Sequence, residues 1–459
     1  MARKFSHTVC ILNLNALTDM KKSNGRTSRK RQRKRSRIFS SCGVSLSHKD
    51  EYILLKKWLK EKGCNVNKLR PAQFPETGRG LVTTKGLQVG ELIISLPEKC
   101  LLTTDTVLNS YLREYIVKWT PPISPLIALC TFLIAEKWAQ EKSPWKPYLD
   151  LLPEIYSCPV CLEQKIVNLF PEPLRRKAHE QRKLVQELFI SSQQFFFSLQ
   201  PLFPKDVASV FNYQAFKWAW CTINTRTVYM KHSQRDCFSR DTDTYALAPY
   251  LDLLNHNPTV QVKAGFNEKT KCYEITTVTQ CHHYNEVFIC YGPHDNQRLL
   301  LEYGFVSRDN PHSSVYVGTD TLLKNVFPED KQRPKKLSIL QEHKLLDDLT
   351  FGWDGPSWKL LTALKLLSLE ADQFTSWKKV VLGEVVSEVN EKKSLDLAAE
   401  ICMSLIKETQ HALQKVSLLK HDCEYLRTQL NLVEALRTEE LSILQRSLEM
   451  FQCLPTTTV

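Results

Sequence analysis

The stretch YLDLLNHNP, residues 250–258, changes character within nine residues. Its first five residues predict the end of a buried strand or short helix, and the apolar run then stops at Asn255, His256, Asn257 and Pro258. The simplest interpretation is a turn, because Asn and Pro are frequent turn residues. The alternative is that these polar groups face a ligand, and the rest of the sequence is needed to distinguish these two interpretations.

Strand-like segments lie on both sides of a long helical region. FPETGRGLVTTKGLQVGELIISLPEKCLLT, residues 74–103, alternates short β-rich runs with Gly and Pro, as hairpins do. Strand character returns in VQVKAGFN, YEITTVT and EVFICYG, within residues 260–292. Between them, PLIALCTFLIAEKWAQ and YQAFKWAWCTINTRTVYM show helical apolar spacing. We predict that residues 74–103 and 245–306 pair in one β-rich domain that a helical insertion interrupts.

Further helices are predicted at both ends of this domain. KDEYILLKKWLKEKG, residues 49–63, has apolar residues at helical spacing and a terminal glycine. From Trp358 onward, amphipathic stretches such as LDLAAEICMSLIKETQHALQKV predict an all-helical domain. A bundle is favoured over a coiled coil because the apolar positions keep no strict heptad. The predicted fold class is α+β: a β-rich domain with a long helical insertion, followed by an all-helical C-terminal domain.

The positive charge of the chain is concentrated in one segment. The 459 residues carry a net charge of +13, and ten Lys or Arg residues with no acid lie between Lys21 and Arg37. Without them the rest of the chain carries +3, so the folded part is nearly neutral. A run of like charges repels itself, which predicts a disordered basic tail over residues 1–47. Arg29–Arg37 is either a nuclear-import signal, a contact for nucleic-acid phosphates and thus chromatin, or a solubilising arm.

Cysteine usage and hydropathy bear on the compartment. The 15 cysteines are scattered, odd in number and often inside apolar runs, which fits reduced thiols better than a disulfide framework. No run of 18 apolar residues predicts a membrane span, and TVCILNLNAL near the N-terminus lacks the features of a secretory signal. We expect the protein in the nucleus and the cytosol.

Two short motifs invite functions that their surroundings do not favour. CPVC, Cys158–Cys161, has the spacing of two zinc ligands, but no second pair lies at a matching distance, so a structural or incidental pair is favoured and no metal is predicted. TGRG, Thr77–Gly80, is not the glycine pattern of a dinucleotide loop. Its two glycines allow a backbone to approach a ligand closely, or they belong to an ordinary hairpin.

A third motif, EVFICYGPHDNQRLLLEYGFV at residues 286–306, places two Tyr-Gly pairs around a short helix. In chain order, GRG, a helical insertion, NTR (224–226), DLLNH (252–256), CYG and EYGF resemble the SET-domain protein methyltransferases. The closest resemblance is to the class typified by the plant Rubisco large-subunit lysine methyltransferase, over about residues 48–450. It implies a SET domain at 48–306, with its insertion at about 104–244, and a substrate-binding domain at 307–459.

The resemblance implies S-adenosylmethionine as the methyl donor and Tyr291 as the catalytic residue. The residues that it assigns to the donor site are Thr77, Gly78, Arg79, Arg226, Asp252, Asn255, His256, Tyr291, Tyr303, Gly304 and Phe305. In the family, the segment matching 77–79 lies along the methionine part, the Asn-His pair holds the amino acid and adenine, and the segment matching 303–305 closes over the adenine. Lys49 matches a basic residue beside the donor's carboxylate.

The implied activity is methylation of a lysine in a histone tail or another protein, docked by the helical domain. A tyrosine hydroxyl at a strand end suits this role, because methyl transfer needs alignment and exclusion of water more than acid or base. Three alternatives stay open: a histidine acceptor, as in a related enzyme of this class; a silent SET fold acting as an interaction module; and nucleic-acid binding through the tail. We expect a monomer.

Overall fold

A computed structural model describes residues 43–324 and 330–453 of the chain. Most of the predicted basic tail therefore lies outside the described residues, but its last residues belong to the fold. β1 (Val44–Ser45) pairs antiparallel with β2 (Leu69–Phe74), and Leu46 is buried in the core. The folded part thus begins before residue 48, the predicted boundary. A two-residue strand leaves no periodic pattern from which the sequence could indicate it.

The N-terminal part alternates helix and strand as predicted. After β1 it contains α1 (Asp50–Glu61), β2, β3 (Gly78–Thr83) and β4 (Leu92–Pro97). The insertion then contributes α2 (Thr104–Leu108), α3 (Arg113–Lys118), α4 (Pro125–Ala139), α5 (Lys146–Leu149), α6 (Gln164–Val167), α7 (Glu172–Ser198), α8 (Val207–Val210) and α9 (Tyr213–Arg226).

Side-chain caps start two of the apolar helices of the insertion. The Ser124 hydroxyl accepts a hydrogen bond from the Ile127 amide at the start of α4, and the Asn212 side chain accepts one from the Ala215 amide at the start of α9. The sequence predicted helix through YQAFKWAWCTINTRTVYM, but α9 ends at Arg226 and the next residues form a strand. Val228 is β-branched and packs equally well in a strand, so the spacing of the apolar residues did not distinguish helix from strand at this point.

The remaining strands of the SET region build three small sheets. They are β5 (Thr227–Tyr229), β6 (Tyr245–Leu247), β7 (Asn255–His256), β8 (Val262–Asn267), β9 (Cys272–Thr277) and β10 (Phe288–Ile289). β9 lies between β4 and β8 in an antiparallel sheet, β5 pairs with β6, and β7 pairs parallel with β10. Together with the bridge Leu102–Leu247, the β4–β9 pairing confirms that residues 74–103 pair with residues 245–306.

The C-terminal part is helical as predicted, with one small sheet that the sequence did not indicate. Its elements, after α10 (Asn296–Arg298) and a π-helix (Leu299–Tyr303), are β11 (Ser314–Tyr316), α11 (Thr319–Lys324), α12 (Arg333–Glu342), β12 (Thr350–Gly352), β13 (Gly355–Pro356), α13 (Trp358–Leu367), α14 (Trp377–Val381), α15 (Glu388–Asp422) and α16 (Arg427–Cys453). β12 pairs with β11 and β13, and strands of two or three residues are too short to show alternation.

Three apolar clusters hold these elements together. The largest joins α1, the strands of the SET region and most of the insertion, and a second fills the C-terminal helices. A third joins the two parts, because Phe170 and Leu174 of the insertion pack with Leu300 and with Leu430 and Val433 of α16. The C-terminal helices therefore pack against the insertion and against the π-helix that follows residue 291. Of the described helices, none is both long enough and apolar enough to cross a membrane.

Candidate active site

The segment NHNP lies where two distant parts of the chain meet. A 3-10 helix (Leu251–Leu253) follows Tyr250, whose φ of 73° turns the chain sharply, and β7 then pairs with β10 so that Asn255 faces Phe288. One β-bridge joins Val82 to Glu286, which brings the end of β3 beside this pair. The polar residues after the apolar run therefore line the meeting point of three segments, and a turn alone does not describe them.

A cavity of about 720 Å³, which we call the Asn255 cavity, opens at this meeting point. Nine of the eleven donor-site residues named by the sequence line it: Thr77, Arg79, Arg226, Asp252, Asn255, His256, Tyr291, Tyr303 and Phe305. Gly78 and Gly304 lie next to lining residues but are not in the wall. Lys49 is exposed at the start of α1 and is not in the wall either.

Gly304 is needed for its backbone shape and its lack of a side chain. Its φ is 78°, which other residues adopt only with strain, and a Cβ there would lie 2.9 Å from the Cys158 amide nitrogen and from Ser157 Oγ. The Ser157 hydroxyl also donates to the Gly304 carbonyl at 2.6 Å. Gly304 therefore lets the Tyr303–Phe305 segment pack tightly against the insertion.

A second cavity of about 770 Å³, the Phe266 cavity, lies beside the first. Its walls are largely aromatic and aliphatic, and they include Phe266, Tyr273 and Ile275 of β8 and β9 together with residues of β5. The residues that line both cavities are Thr225, Arg226, Asp252, Tyr291 and Tyr303. These five side chains thus form a shared wall between a polar cavity and an apolar one.

Tyr291 lies in this shared wall with its hydroxyl fixed. The hydroxyl donates to the Leu254 carbonyl at 2.7 Å, and the ring lies 5.0 Å from that of Tyr303 and 5.2 Å from that of His256. Burial, above all, raises the pKa of Tyr291 well above that of a free phenol. The hydroxyl therefore keeps its proton near neutral pH, and its lone pairs remain free to accept a hydrogen bond.

Arg226 and Asp252 form a buried ion pair in the same wall. Arg226 Nη1 lies 3.0 Å from Asp252 Oδ2, the Asp252 side chain is only 3% exposed, and the Tyr148 hydroxyl donates to the same carboxylate at 2.9 Å. Burial by itself would lower the pKa of Arg226, but the Asp252 carboxylate together with Tyr156 and Tyr148 outweighs it and the pKa is raised. Arg226 therefore remains a cation, and the Asp252 carboxylate in the same wall balances its charge.

His256 is buried and held as a neutral ring. Its Nδ1 accepts a hydrogen bond from the Tyr291 amide at 3.0 Å, which places the ring proton on Nε2. Burial, reinforced by the nearby His294 and His312, lowers the pKa of His256 to about 4. Nε2 has no hydrogen-bond partner among the described residues, and the ring lines the Asn255 cavity.

The lowered pKa of His256 predicts a loss of stability in weak acid. In the unfolded chain this imidazole takes up a proton near pH 6.5, whereas in the folded chain it does so only near pH 4. Stability is therefore fully present above about pH 6.5 and falls by up to ~3 kcal/mol as the pH drops toward 4. Urea unfolding across this range should show a smaller loss in His256→Gln than in wild type. The exposed His282→Gln should lose as much as wild type, and equal losses in all three proteins would contradict the assignment.

Glu286 is a functional candidate that the sequence did not single out. It is 9% exposed and hydrogen-bonds to both Thr77 and Asn255 behind the wall of the Asn255 cavity. The available signal was a single acid just before a short apolar strand, and many strands are preceded in this way by a solvated charge.

The CPVC motif lies beside a third cysteine, Cys221 of α9. Cys161 Sγ lies 3.5 Å from Cys221 Sγ of α9, and Cys158 lies in the same cluster. The contact with Cys221, and then burial, raises the pKa of Cys161. No group of residues in the described ranges could hold a metal ion, and the twelve cysteines from Cys64 to Cys423 are free thiols. These twelve agree with the expected reduced thiols.

Comparisons with known proteins agree with the geometry. The chain matches the SET domain family over residues 78–292 and the family described as Rubisco LSMT substrate-binding over residues 327–444. A structure of Rubisco LSMT bound to AdoMet superposes with a TM-score of 0.58 at 18% identity, covering 88% of this chain and 91% of that one. That likeness shows the fold.

One relative shows the family at the sequence level, and two more distant relatives are also similar. SET domain-containing protein 4 of Homo sapiens is 60% identical over 95% of this chain and 99% of its own length. The ribosomal lysine N-methyltransferase of Schizosaccharomyces pombe is 25% identical, over 70% of this chain and 76% of that protein. Actin-histidine N-methyltransferase of Mus musculus is 24% identical, over 58% of this chain and 44% of that protein. The chain belongs to the SET-domain protein methyltransferase family, in the group that joins this domain to a Rubisco LSMT-type substrate-binding domain.

Proposed function

We propose that the protein transfers a methyl group from S-adenosylmethionine to a lysine side chain of a protein substrate. The observation that carries the proposal is the position of Tyr291 in a wall shared by two cavities of different chemistry. The more polar cavity, for the donor, and the more apolar cavity, for the acceptor side chain, both border Tyr291. The sequence match to the SET domain family supports the reaction class.

The Asn255 cavity fits the donor by size and by chemistry. Small-molecule sites span roughly 300–1,000 Å³, and this cavity falls within that range. Its lining offers polar groups at Asn255 and His256 and an aromatic face at Phe305, which suit the amino-acid and adenine ends of the donor. When bound, S-adenosylmethionine supplies a methyl group already activated on a sulfonium. We therefore assign the donor to this cavity.

Tyr291 orients the acceptor rather than removing its proton. Its hydroxyl hydrogen is committed to the Leu254 carbonyl, and its raised pKa keeps the phenol neutral. A neutral amine that donates a hydrogen bond to the free lone pairs of this oxygen has its own lone pair directed elsewhere. Fixing that direction is the main task, because the reaction is an in-line displacement.

The Phe266 cavity suits a lysine carried on an extended peptide. Within the described residues, β5 pairs only with β6 and β8 only with β9, so each of these two strands has one edge without a paired strand. Such edges accept an added strand through backbone hydrogen bonds. The apolar walls formed by Phe266 and Tyr273 fit the four-carbon stem of lysine.

Filling the Phe266 cavity should block the acceptor and spare the donor. Ala264 on β8 lines the cavity, pairs with Ile275 and lies on the same face of the strand as Phe266, and it is exposed, so a large side chain there enters the cavity rather than the core. In Ala264→Trp we expect kcat/KM for the protein substrate to fall by about tenfold or more, a loss of ~1.4 kcal/mol. The affinity for S-adenosylmethionine should stay within about twofold.

The matched control is Val89→Trp, at an exposed position that lines neither cavity. Its activity should equal that of wild type. If Ala264→Trp methylates the protein substrate as fast as this control, the acceptor does not enter through the Phe266 cavity.

The substrate protein is proposed to dock on the C-terminal helices, with a histone tail and non-histone lysines both as candidates. The match to the Rubisco LSMT substrate-binding family supports docking there, and the packing of α16 against the π-helix ties this part to the site. A role for Arg29–Arg37 in nuclear import or chromatin contact remains a prediction, because those residues lie outside the described ranges.

A histidine acceptor is the second candidate, and Asn224 favours it. This residue lines the Phe266 cavity and donates its amide to the Glu302 carbonyl at 2.6 Å, which leaves its oxygen free to accept from an imidazole N–H. The relatives include a histidine methyltransferase as well as a lysine methyltransferase. Incubating the protein with labelled donor and a cell lysate, followed by acid hydrolysis, separates the two. We expect labelled methyllysine; labelled methylhistidine alone would reverse the assignment.

A further inference from the structure

Glu286 is a buried carboxylate without a cationic partner. It lies immediately before Val287 and β10, it is 9% exposed, and no basic side chain of the described residues forms an ion pair with it. A buried charge normally needs a partner, because removal from water is costly. Among the described residues, Thr77 and Asn255 donate the hydrogen bonds to this carboxylate, so these two contacts indicate what it does.

The contact with Asn255 fixes which way its amide faces. Asn255 Nδ2 donates to the Arg79 carbonyl at 3.1 Å and to Glu286 Oε1 at 2.7 Å. An amide nitrogen has two hydrogens, and both are used here; an ionised carboxylate can only accept, so it excludes the flipped amide. The amide oxygen of Asn255 is left as a free acceptor on a residue that lines the Asn255 cavity.

The same carboxylate also holds the opposite wall segment. Thr77 Oγ1 lies 2.8 Å from both oxygens of Glu286, and Thr77 lines the Asn255 cavity as well. Gly80 leaves room for this arrangement: a Cβ there would lie 2.6 Å from Glu286 Oε1 and 2.7 Å from Asn255 Nδ2. One buried acid thus ties the β2–β3 turn to β7.

We propose that Glu286 is a positioning residue that presents the amide oxygen of Asn255 to the α-ammonium group of the donor. An acceptor next to a cationic N–H gives a charge-assisted hydrogen bond, whereas a flipped amide would place its own N–H against the ammonium. This inference rests on the proposed placement of the donor in the Asn255 cavity. It adds a residue that does not itself line that cavity.

Glu286→Gln tests the proposal with almost no change of shape. A glutamine can donate as well as accept, so it permits both orientations of Asn255. We expect the Kd of S-adenosylhomocysteine, measured by calorimetry, to rise about tenfold, equal to ~1.4 kcal/mol. For the deamino analogue of S-adenosylhomocysteine, which lacks the ammonium, the Kd should change by less than about twofold. A merely structural role would weaken both probes equally, and that result would overturn the proposal.

Two further measurements keep the test decisive. Glu286→Asp retains a group that only accepts, so the ratio of the two Kd values should stay near that of wild type; a loss like that of Glu286→Gln would contradict the proposal.

On the unaltered chain, burial, reinforced by Glu76, raises the pKa of Glu286, while the hydrogen bonds from Asn255 and Thr77 oppose the shift. The preference for the amino probe should therefore fall as the pH drops through that raised pKa, and a constant preference would count against Glu286.

The outcome also separates this inference from the proposed function. If wild type binds neither probe, the donor assignment itself fails. If wild type binds both probes with the expected preference and Glu286→Gln keeps that preference, the donor assignment stands and only the role of Glu286 is overturned.

Discussion

Tyr291→Phe should lower kcat by about 100-fold while the affinity for S-adenosylmethionine changes by less than about twofold. The substitution removes only the hydroxyl, which is bonded to the Leu254 carbonyl and lies in the wall between the two cavities. The ring remains and keeps its packing against Tyr303 and His256, so the donor cavity retains its shape. Single-turnover methyl transfer and calorimetry with the donor measure the two quantities separately.

Tyr284→Phe is the matched control, because it deletes the same hydroxyl from an exposed tyrosine that lines neither cavity. Its turnover should equal that of wild type. If Tyr291→Phe retains a third or more of the wild-type turnover, the hydroxyl does not orient the acceptor. If it weakens donor binding as strongly as it slows turnover, its role is in the cavity wall.

Arg226→Ala should destabilise the protein by about 3–5 kcal/mol, the usual cost of leaving one charge of a buried pair alone. The Asp252 carboxylate is almost fully buried, and without Arg226 its remaining side-chain partner is the Tyr148 hydroxyl. Because this pair belongs to the wall between the cavities, donor affinity should fall as well. Urea unfolding gives the change in the free energy of unfolding.

Lys118→Ala provides the comparison, since it breaks an ion pair with Glu114 in which both side chains are more than three-quarters exposed. It should cost less than about 1 kcal/mol. The double variant Arg226→Ala/Asp252→Asn should recover part of the stability, because asparagine keeps a partner for Tyr148 without an unpaired charge. Equal costs for Arg226→Ala and Lys118→Ala would mean that the pair does not support the wall.

The sequence predicted the helices in which apolar residues recur at a regular spacing over many residues. α4 of the insertion ends within one residue of its predicted stretch, whereas α15 of the C-terminal part contains its predicted stretch, 395–416, and extends beyond it at both ends. The sequence did not predict the strands β1, β11 and β13, because each is only two or three residues long. Their pairing is decided by neighbours far away in the chain, which no local pattern records.

The sequence motifs predicted the site residues, but they did not predict the hydrogen bonds that orient those residues. Order and spacing of motifs named Asn255, His256 and Tyr291, and the structure brings all three into one wall. The hydrogen bonds that orient Tyr291 and Asn255 are accepted by the Leu254 carbonyl and by the Glu286 carboxylate, two groups that belong to no motif. Backbone carbonyls carry no sequence signature, so these roles become visible only when the chain is folded.

A crystal structure of the full chain with S-adenosylhomocysteine tests the central claim most directly, since that claim concerns where the donor lies. We expect its amino-acid end beside Asn255, its adenine against Phe305 and its sulfur at the wall that Tyr291 shares with the Phe266 cavity. A nucleoside bound in the Phe266 cavity, or a sulfur remote from the Tyr291 hydroxyl, would contradict it.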